Sequence, residues 1–192
     1  FSRNYLLLFM TNPGLRPGGG FIGSYGISRF EDGRLRDLFV DDVYNADGQL
    51  TDKIPAPQAL KDYLGVATLG LRDSNWSPDF PTSSALSKDL LFKATKRQVD
   101  GVVALDIKTL QNLLKVVGPI TLADYGETIN ADNFFERAQF HAEVNFFPGS
   151  SAKKDFIGAV ARLVLDRILH SKPDAWPQVI AALQDSLSGK HL

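Results

Sequence analysis

The sequence predicts an α/β fold: a layered mixed β-sheet with an antiparallel hairpin near the N-terminus, flanked by helices. Three observations carry this. Residues 4–10, NYLLLFM, form a short continuous apolar run, the mark of a buried strand. Asp32-Gly33 separates two strand-like stretches and supplies the positive φ of a tight hairpin turn. From residue 57 to residue 122, strand-like and helix-like segments alternate, the order of layered α/β proteins.

The elements follow in order. Pro13, Gly14, Pro17 and the string Gly18-Gly19-Gly20 are expected to end the first strand. Phe21 to Arg29 reads as a second strand, with Phe21, Gly23, Tyr25 and Ile27 on one face, and Leu35 to Asp42 as a third. Residues 45–57 read as loop. Pro57 to Leu64 is a short helix, with Pro at its start and Gly65 at its end. Val66 to Leu71 is strand-like and runs into the polar loop 72–81. Thr82 or Ser83 is placed to cap a helix reaching about Lys96. Gly101 to Leu105 is a strand, and Asp106 caps a helix with Leu110, Leu113, Leu114 and Val117 on one face. Gly118-Pro119 ends it, and Ile120 to Leu122 is a brief strand. Asn130 starts a further helix, and two more cover about 153–170 and 174–187.

Composition bounds the function. The chain has 192 residues, which suits one domain of about 100–200 residues. Lys and Arg number 21 against 22 Asp and Glu, so a nucleic-acid protein working through bulk positive charge is excluded. Cysteine is absent, which removes thiolate catalysis, disulfides and Cys-type metal centres. The 44% apolar content excludes a disordered chain. Both ends read as cut from something longer, so residues 1–192 are expected to be one domain truncated at each end.

Gly18-Gly-Gly-Phe-Ile-Gly23 matches a dinucleotide fingerprint in letters only. That fingerprint needs a helix directly after the glycines, and a strand is expected here. A cytoplasmic nucleotide enzyme therefore rests on the glycine string alone. Two readings of the string stay open: close approach of two backbones, or a small anion site built from Arg16 and the N–H groups of Gly18, Gly19 and Gly20. Arg72-Asp73 is placed at the end of a strand, where α/β proteins gather their sites. Arg72 suits phosphate oxygens, and Asp73 can orient it, hold a hard cation or accept a proton; the alternative is a salt bridge that stiffens the loop. Asp41-Asp42, with Asp47 nearby, is either a cation site or a solvated strand end. Asn75-Trp76-Ser77 spells a glycosylation sequon but precedes Pro78, and Trp76 can stack on a sugar or prenyl chain or anchor the core. His141, His170 and His191 lack metal-ligand spacing, and no Ser-His-Asp arrangement is defensible.

The motifs resemble a known family. Arg3-Asn-Tyr-Leu-Leu-Leu-Phe9, Leu15-Arg-Pro-Gly-Gly-Gly-Phe-Ile-Gly-Ser-Tyr-Gly26, Asp42-Val-Tyr44, Asp47-Gly-Gln49 and Leu71-Arg-Asp-Ser-Asn-Trp-Ser-Pro-Asp-Phe-Pro-Thr82 resemble the bacterial domain of unknown function family 4012 (DUF4012). The likeness runs in order over nearly the whole chain. It implies an extracytoplasmic domain of the bacterial cell envelope, anchored through a transmembrane helix upstream of Phe1. That family is in turn similar in layout to the LytR-CpsA-Psr enzymes, which transfer glycopolymers from a polyprenyl-pyrophosphate carrier to the cell wall with Mg²⁺. The resemblance implies Arg16, Arg72 and Asp73 as catalytic residues, and Gly18, Gly19, Gly20, Asn75 and Trp76 as substrate-binding ones. Gly18 stands where those enzymes place a metal-binding Asp, so Asp41, Asp42 or Asp73 would have to substitute, with Asp42 and Asp73 as the expected Mg²⁺ ligands. The expected partner is a polyprenyl-pyrophosphate lipid or a cell-wall glycan. The expected function is attachment of glycopolymer by phosphotransfer, with a non-catalytic lipid- or glycan-binding or scaffold module as the alternative.

Overall fold

A computed structural model describes residues 1–143 and 156–191. Four strands form one mixed sheet in the order β3-β2-β1-β4. Strands β1 (Ser2–Arg16), β2 (Gly19–Glu31) and β3 (Arg34–Asp42) are antiparallel neighbours, and β4 (Gly101–Asp106) lies parallel to β1. Asp32 and Gly33 both take positive φ, 51° and 75°, which is the two-residue turn that matches the twist of a hairpin.

Strand β1 is buried on both faces. Leu7 and Phe9 enter one apolar core, closed by α4 (Ile107–Val117), α5 (Phe134–Glu143), α6 (Phe156–Leu169) and α7 (Trp176–Ser188). Leu6, Leu8 and Met10 enter the other, under α1 (Val43–Asp47) and α3 (Phe80–Thr95). A side-chain period of two explains why Leu6 to Met10, buried on both faces, are apolar without a break. The remaining elements are α2 (Gln58–Leu64) and the small hairpin of β5 (Ile120–Leu122) and β6 (Glu127–Ile129).

The caps anticipated for α2 and α4 are present. Gly65 ends α2 at φ 65°, and the Asp106 carboxylate accepts the Thr109 N–H at the start of α4. Residues 45–47, read as loop, belong to α1, Glu127–Ile129 forms a strand that was not expected, and four further features differ from expectation. First, β1 continues past Pro13 to Arg16, because a register shift between Thr11 and Leu15 accommodates the proline outside the regular ladder. Second, Phe9 pairs with Ser24 but Met10 with Ile22, so Gly23 is an extra residue in β2. That bulge swaps the faces, and Ile22, not Phe21, joins Tyr25 and Ile27 in the core. Third, α3 is capped by Asp79, which accepts the Thr82 N–H. Fourth, residues 66–70 are not a strand. Only one bridge, Pro55 to Thr68, forms there, and Leu71–Asp73 is a 3-10 turn. The expected start of α6 at 153–155 lies outside the described residues.

Candidate active site on the hairpin tip

The parallel pairing of β1 with β4 ends at Met10 and Asp106. Beyond that edge, β1 and β2 continue as a projecting tip in which Leu15 pairs with Gly20 and Arg16 with Gly19. The tip rests on the loop after the 3-10 turn: the Gly18 N–H donates to the Asn75 carbonyl at 3.0 Å. A Cβ on Gly18 would lie 2.6 Å from that oxygen, and one on Gly20 would overlap the Thr11 carbonyl. The glycines therefore allow close approach of backbones. A strand, not a helix, follows them.

Strand alternation turns Leu15 and Pro17 to one side of the tip and Arg16 to the other. Arg16 Nε and Nη2 both donate to Oδ1 of Asp73, each at 3.1 Å. Nη1 donates to the Leu15 carbonyl at 3.0 Å. This pair is withdrawn from water, with the side chains 11% and 1% exposed. Arg72 approaches from the 3-10 turn. Its Nε lies 3.3 Å from Oδ2 of Asp73, and its Nη1 donates to Oδ2 of Asp47 at 2.9 Å. Two guanidinium groups thus converge on one buried carboxylate. Arg72 is the more open of the two, and its Nη2 has no hydrogen-bond partner among the described residues.

Asp47 builds the turn that carries Arg72. Its Oδ1 accepts the Leu71 N–H at 2.5 Å while Oδ2 takes Arg72. A side chain on Gly70 would overlap this carboxylate. Burial pushes the Asp47 carboxyl above its usual range, opposed by the Leu71 hydrogen bond and by Arg72. Tyr44 lies under Arg72, whose guanidinium carbon is 5.4 Å from the ring centre. Burial raises the phenol, Arg72 lowers it, and Asp42, Asp73 and Asp47 raise it further, so the hydroxyl is neutral at ordinary pH. Phe21 takes the same position under Arg16, also at 5.4 Å.

The other sequence candidates fall around this network. Asp42 caps α1, accepting the Tyr44 N–H at 2.8 Å. Asp41 accepts the Asp42 N–H and the Asn45 amide. Asn75 is buried and donates to the Gly20 carbonyl at 2.7 Å, so its amide is not open to glycosylation in the folded protein. Its Oδ1 is buried without a hydrogen-bond partner among the described residues. Trp76 is half-buried beside it. Mg²⁺ prefers an octahedral shell of oxygens. The donors at hand do not offer one: Oδ1 of Asp73 takes Arg16, Oδ2 lies 3.3 Å from Arg72 Nε without a hydrogen bond among the described residues, and Asp42 serves α1. No three His, Asp or Glu side chains converge among the described residues.

Tyr44 was not among the site residues expected from sequence, and Asp47 was named only as a neighbour of the Asp41-Asp42 carboxylates. For Asp47 a further signal was there: Asp42 is a capping residue, and helical spacing from it sets Asp47 on the side of the buried Val43 and Ala46.

On the far side of the tip lies a groove of about 700 Å³. Met10, Leu15, Pro17, Pro78 and Phe80 line it with apolar surface, and Asp106, Lys190 and His191 add polar side chains.

The fold and the site together define a three-layer α/β domain with a glycine-tipped hairpin locked by paired arginines. The chain belongs to the family described as "Protein of unknown function (DUF4012)", whose pattern matches residues 2–140 and so includes Arg16, Arg72 and Asp73. A solved structure, protein gbs0355 from Streptococcus agalactiae, is similar in fold, with a TM-score of 0.60 at 13% identity. The likeness covers 95% of this chain and 66% of that one, so this chain spans just under two thirds of its neighbour's length. No curated protein matches the sequence.

Proposed function

We propose that this is an extracytoplasmic cell-envelope domain that binds a polyprenyl-pyrophosphate-linked glycan, held at the membrane by an upstream anchor. The observation that supports this best is the convergence of Arg16 and Arg72 on Asp73, with Arg72 Nη2 still free to donate among the described residues. Guanidinium forks suit pyrophosphate oxygens. Asp73 fixes both forks before a ligand arrives, which lowers the ordering cost of binding. The envelope location and the lipid carrier rest on the family resemblance.

The test is calorimetric titration of the domain with farnesyl pyrophosphate, with and without Mg²⁺. The parent is expected to bind. Arg72→Ala is expected to weaken binding at least about tenfold, or about 1.4 kcal/mol. Equal binding by Arg72→Ala and the parent overturns the reading.

A second reading makes the site a phosphotransferase that attaches glycopolymer to the cell wall, with two cations stabilising charge that develops on the pyrophosphate. Oδ1 of Asp73 is held by Arg16, and Oδ2, 3.3 Å from Arg72 Nε but without a hydrogen bond among the described residues, is the oxygen such a step would use. Turnover of a pyrophosphate-linked glycan donor in the presence of Mg²⁺ decides for transfer.

A further inference from the structure

Asp106 ends β4 with two tasks for its carboxylate. Oδ1 accepts the Thr109 N–H at 2.9 Å and so caps α4. Oδ2 lies 2.6 Å from Nδ1 of His191. The backbone of His191 is pinned as well: its N–H donates to the Ser186 carbonyl at 2.8 Å, and its carbonyl accepts the Asp106 N–H at 3.2 Å and the Thr109 hydroxyl at 2.7 Å. Gly189 leaves room for the ring, since a Cβ there would lie 2.7 Å from Cδ2 and 3.1 Å from Nε2. The Asp106 side chain is 9% exposed and that of His191 33%.

An ionised carboxylate only accepts, so Nδ1 of the neutral imidazole must carry the proton. The lone pair then sits on Nε2, which has no hydrogen-bond partner among the described residues. His191, Asp106 and Lys190 line the groove whose walls are Met10, Leu15 and Phe80. Its volume of about 700 Å³ is that of a small-molecule site, and it lies where the parallel pairing of β1 and β4 stops, at the carboxyl end of β4. A matching occupant has an apolar body and a single O–H donor. Asp106 and Lys190 bring one charge of each sign, so no net charge selects a charged head.

We propose that this groove binds a hydroxyl-headed amphiphile whose O–H donates to Nε2 of His191, in a tautomer fixed by Asp106. Gly18, Gly19 and Gly20 also line this groove, but Arg16, Arg72 and Asp73 do not, so the proposal stands whether or not the arginine network takes a pyrophosphate.

The experiment is ¹⁵N NMR of the His191 ring in the whole domain, above the pH at which the ring is neutral. The parent is expected to show the proton on Nδ1. Asp106→Asn, which leaves one acceptor for two donors, is expected to move it toward Nε2. Adding 1-octanol shifts the Nε2 resonance, whereas octyl methyl ether occupies the groove without doing so. His191→Phe lowers octanol affinity about three- to tenfold, the worth of one hydrogen bond, and leaves the ether unaffected. A parent with the proton on Nε2, an Nε2 indifferent to saturating octanol, or an equal response to the ether overturns the proposal. If Asp106→Asn fails to fold, the parent tautomer and the alcohol–ether pair decide alone.

Discussion

Replacing Asp73 with Asn tests whether the carboxylate is what holds the two arginines. The amide has nearly the same shape but no charge. Arg16 would lose the ionic partner of two hydrogen bonds in a site where its own side chain is only 11% exposed. Breaking a buried ion pair by removing one partner costs about 3–5 kcal/mol. Arg72 keeps Asp47 and is 25% exposed, so its share is small. The lower end, about 3 kcal/mol, is therefore expected. In a domain of this size that is about 6–12 °C in Tm. Urea unfolding followed by tryptophan fluorescence, together with calorimetry, measures it. A loss below about 1 kcal/mol, the value of an exposed pair, would refute the claim that burial gives this interaction its weight.

Asp47 makes stability depend on pH in the less common direction. Its folded pKa lies above the unfolded value, so its contribution is full below pH 4 and declines as pH rises through the folded pKa. Asp47→Asn should remove that decline, seen as a flatter urea midpoint from pH 4 to 7. Gly70→Ala should drive its methyl into the Asp47 carboxylate and cost about 1–3 kcal/mol, while also weakening any anion binding through Arg72. Glu127 behaves in the opposite sense. Arg137 holds its carboxyl below the usual range, so its stabilisation is present above the unfolded pKa and lost as pH falls through the folded one. Arg137→Ala should reduce that acid-side loss in a pH series of unfolding curves.

The parts of the fold that were legible were those in which one local rule acts alone. An unbroken apolar run announced a strand buried on both sides, and Asp-Gly announced the hairpin. Asp106 and Gly65 announced the limits of their helices. The rest depended on partners distant in the chain. Nothing local says that β1 outlasts Pro13, because its continuation is set by pairing with Gly19 and Gly20. Nothing local marks Gly23 as a bulge. The stretch from Val66 looked like a strand because it is apolar. It is drawn instead into a turn by an acceptor 24 residues upstream, the Asp47 carboxylate on the Leu71 N–H. The site was legible in its residues but not in its wiring. Arg16, Arg72 and Asp73 were named, yet the sequence offered Arg72-Asp73 as neighbours, whereas the tighter pair joins Asp73 to Arg16.

The hairpin tip keeps two chemistries apart with a ribbon one residue thick. Leu15 and Pro17 wet the apolar groove, and Arg16 between them closes the charged network. Because the side-chain period of a strand is two, inserting or deleting a single residue before Leu15 would exchange the sides. An arginine would then enter the groove, a leucine would face Asp73, and both compartments would fail together. Chain length at the tip is thus held more strictly than composition. Leu15 can become another apolar residue at little cost, but descendants of this sequence should vary there by substitution and not by changes in length.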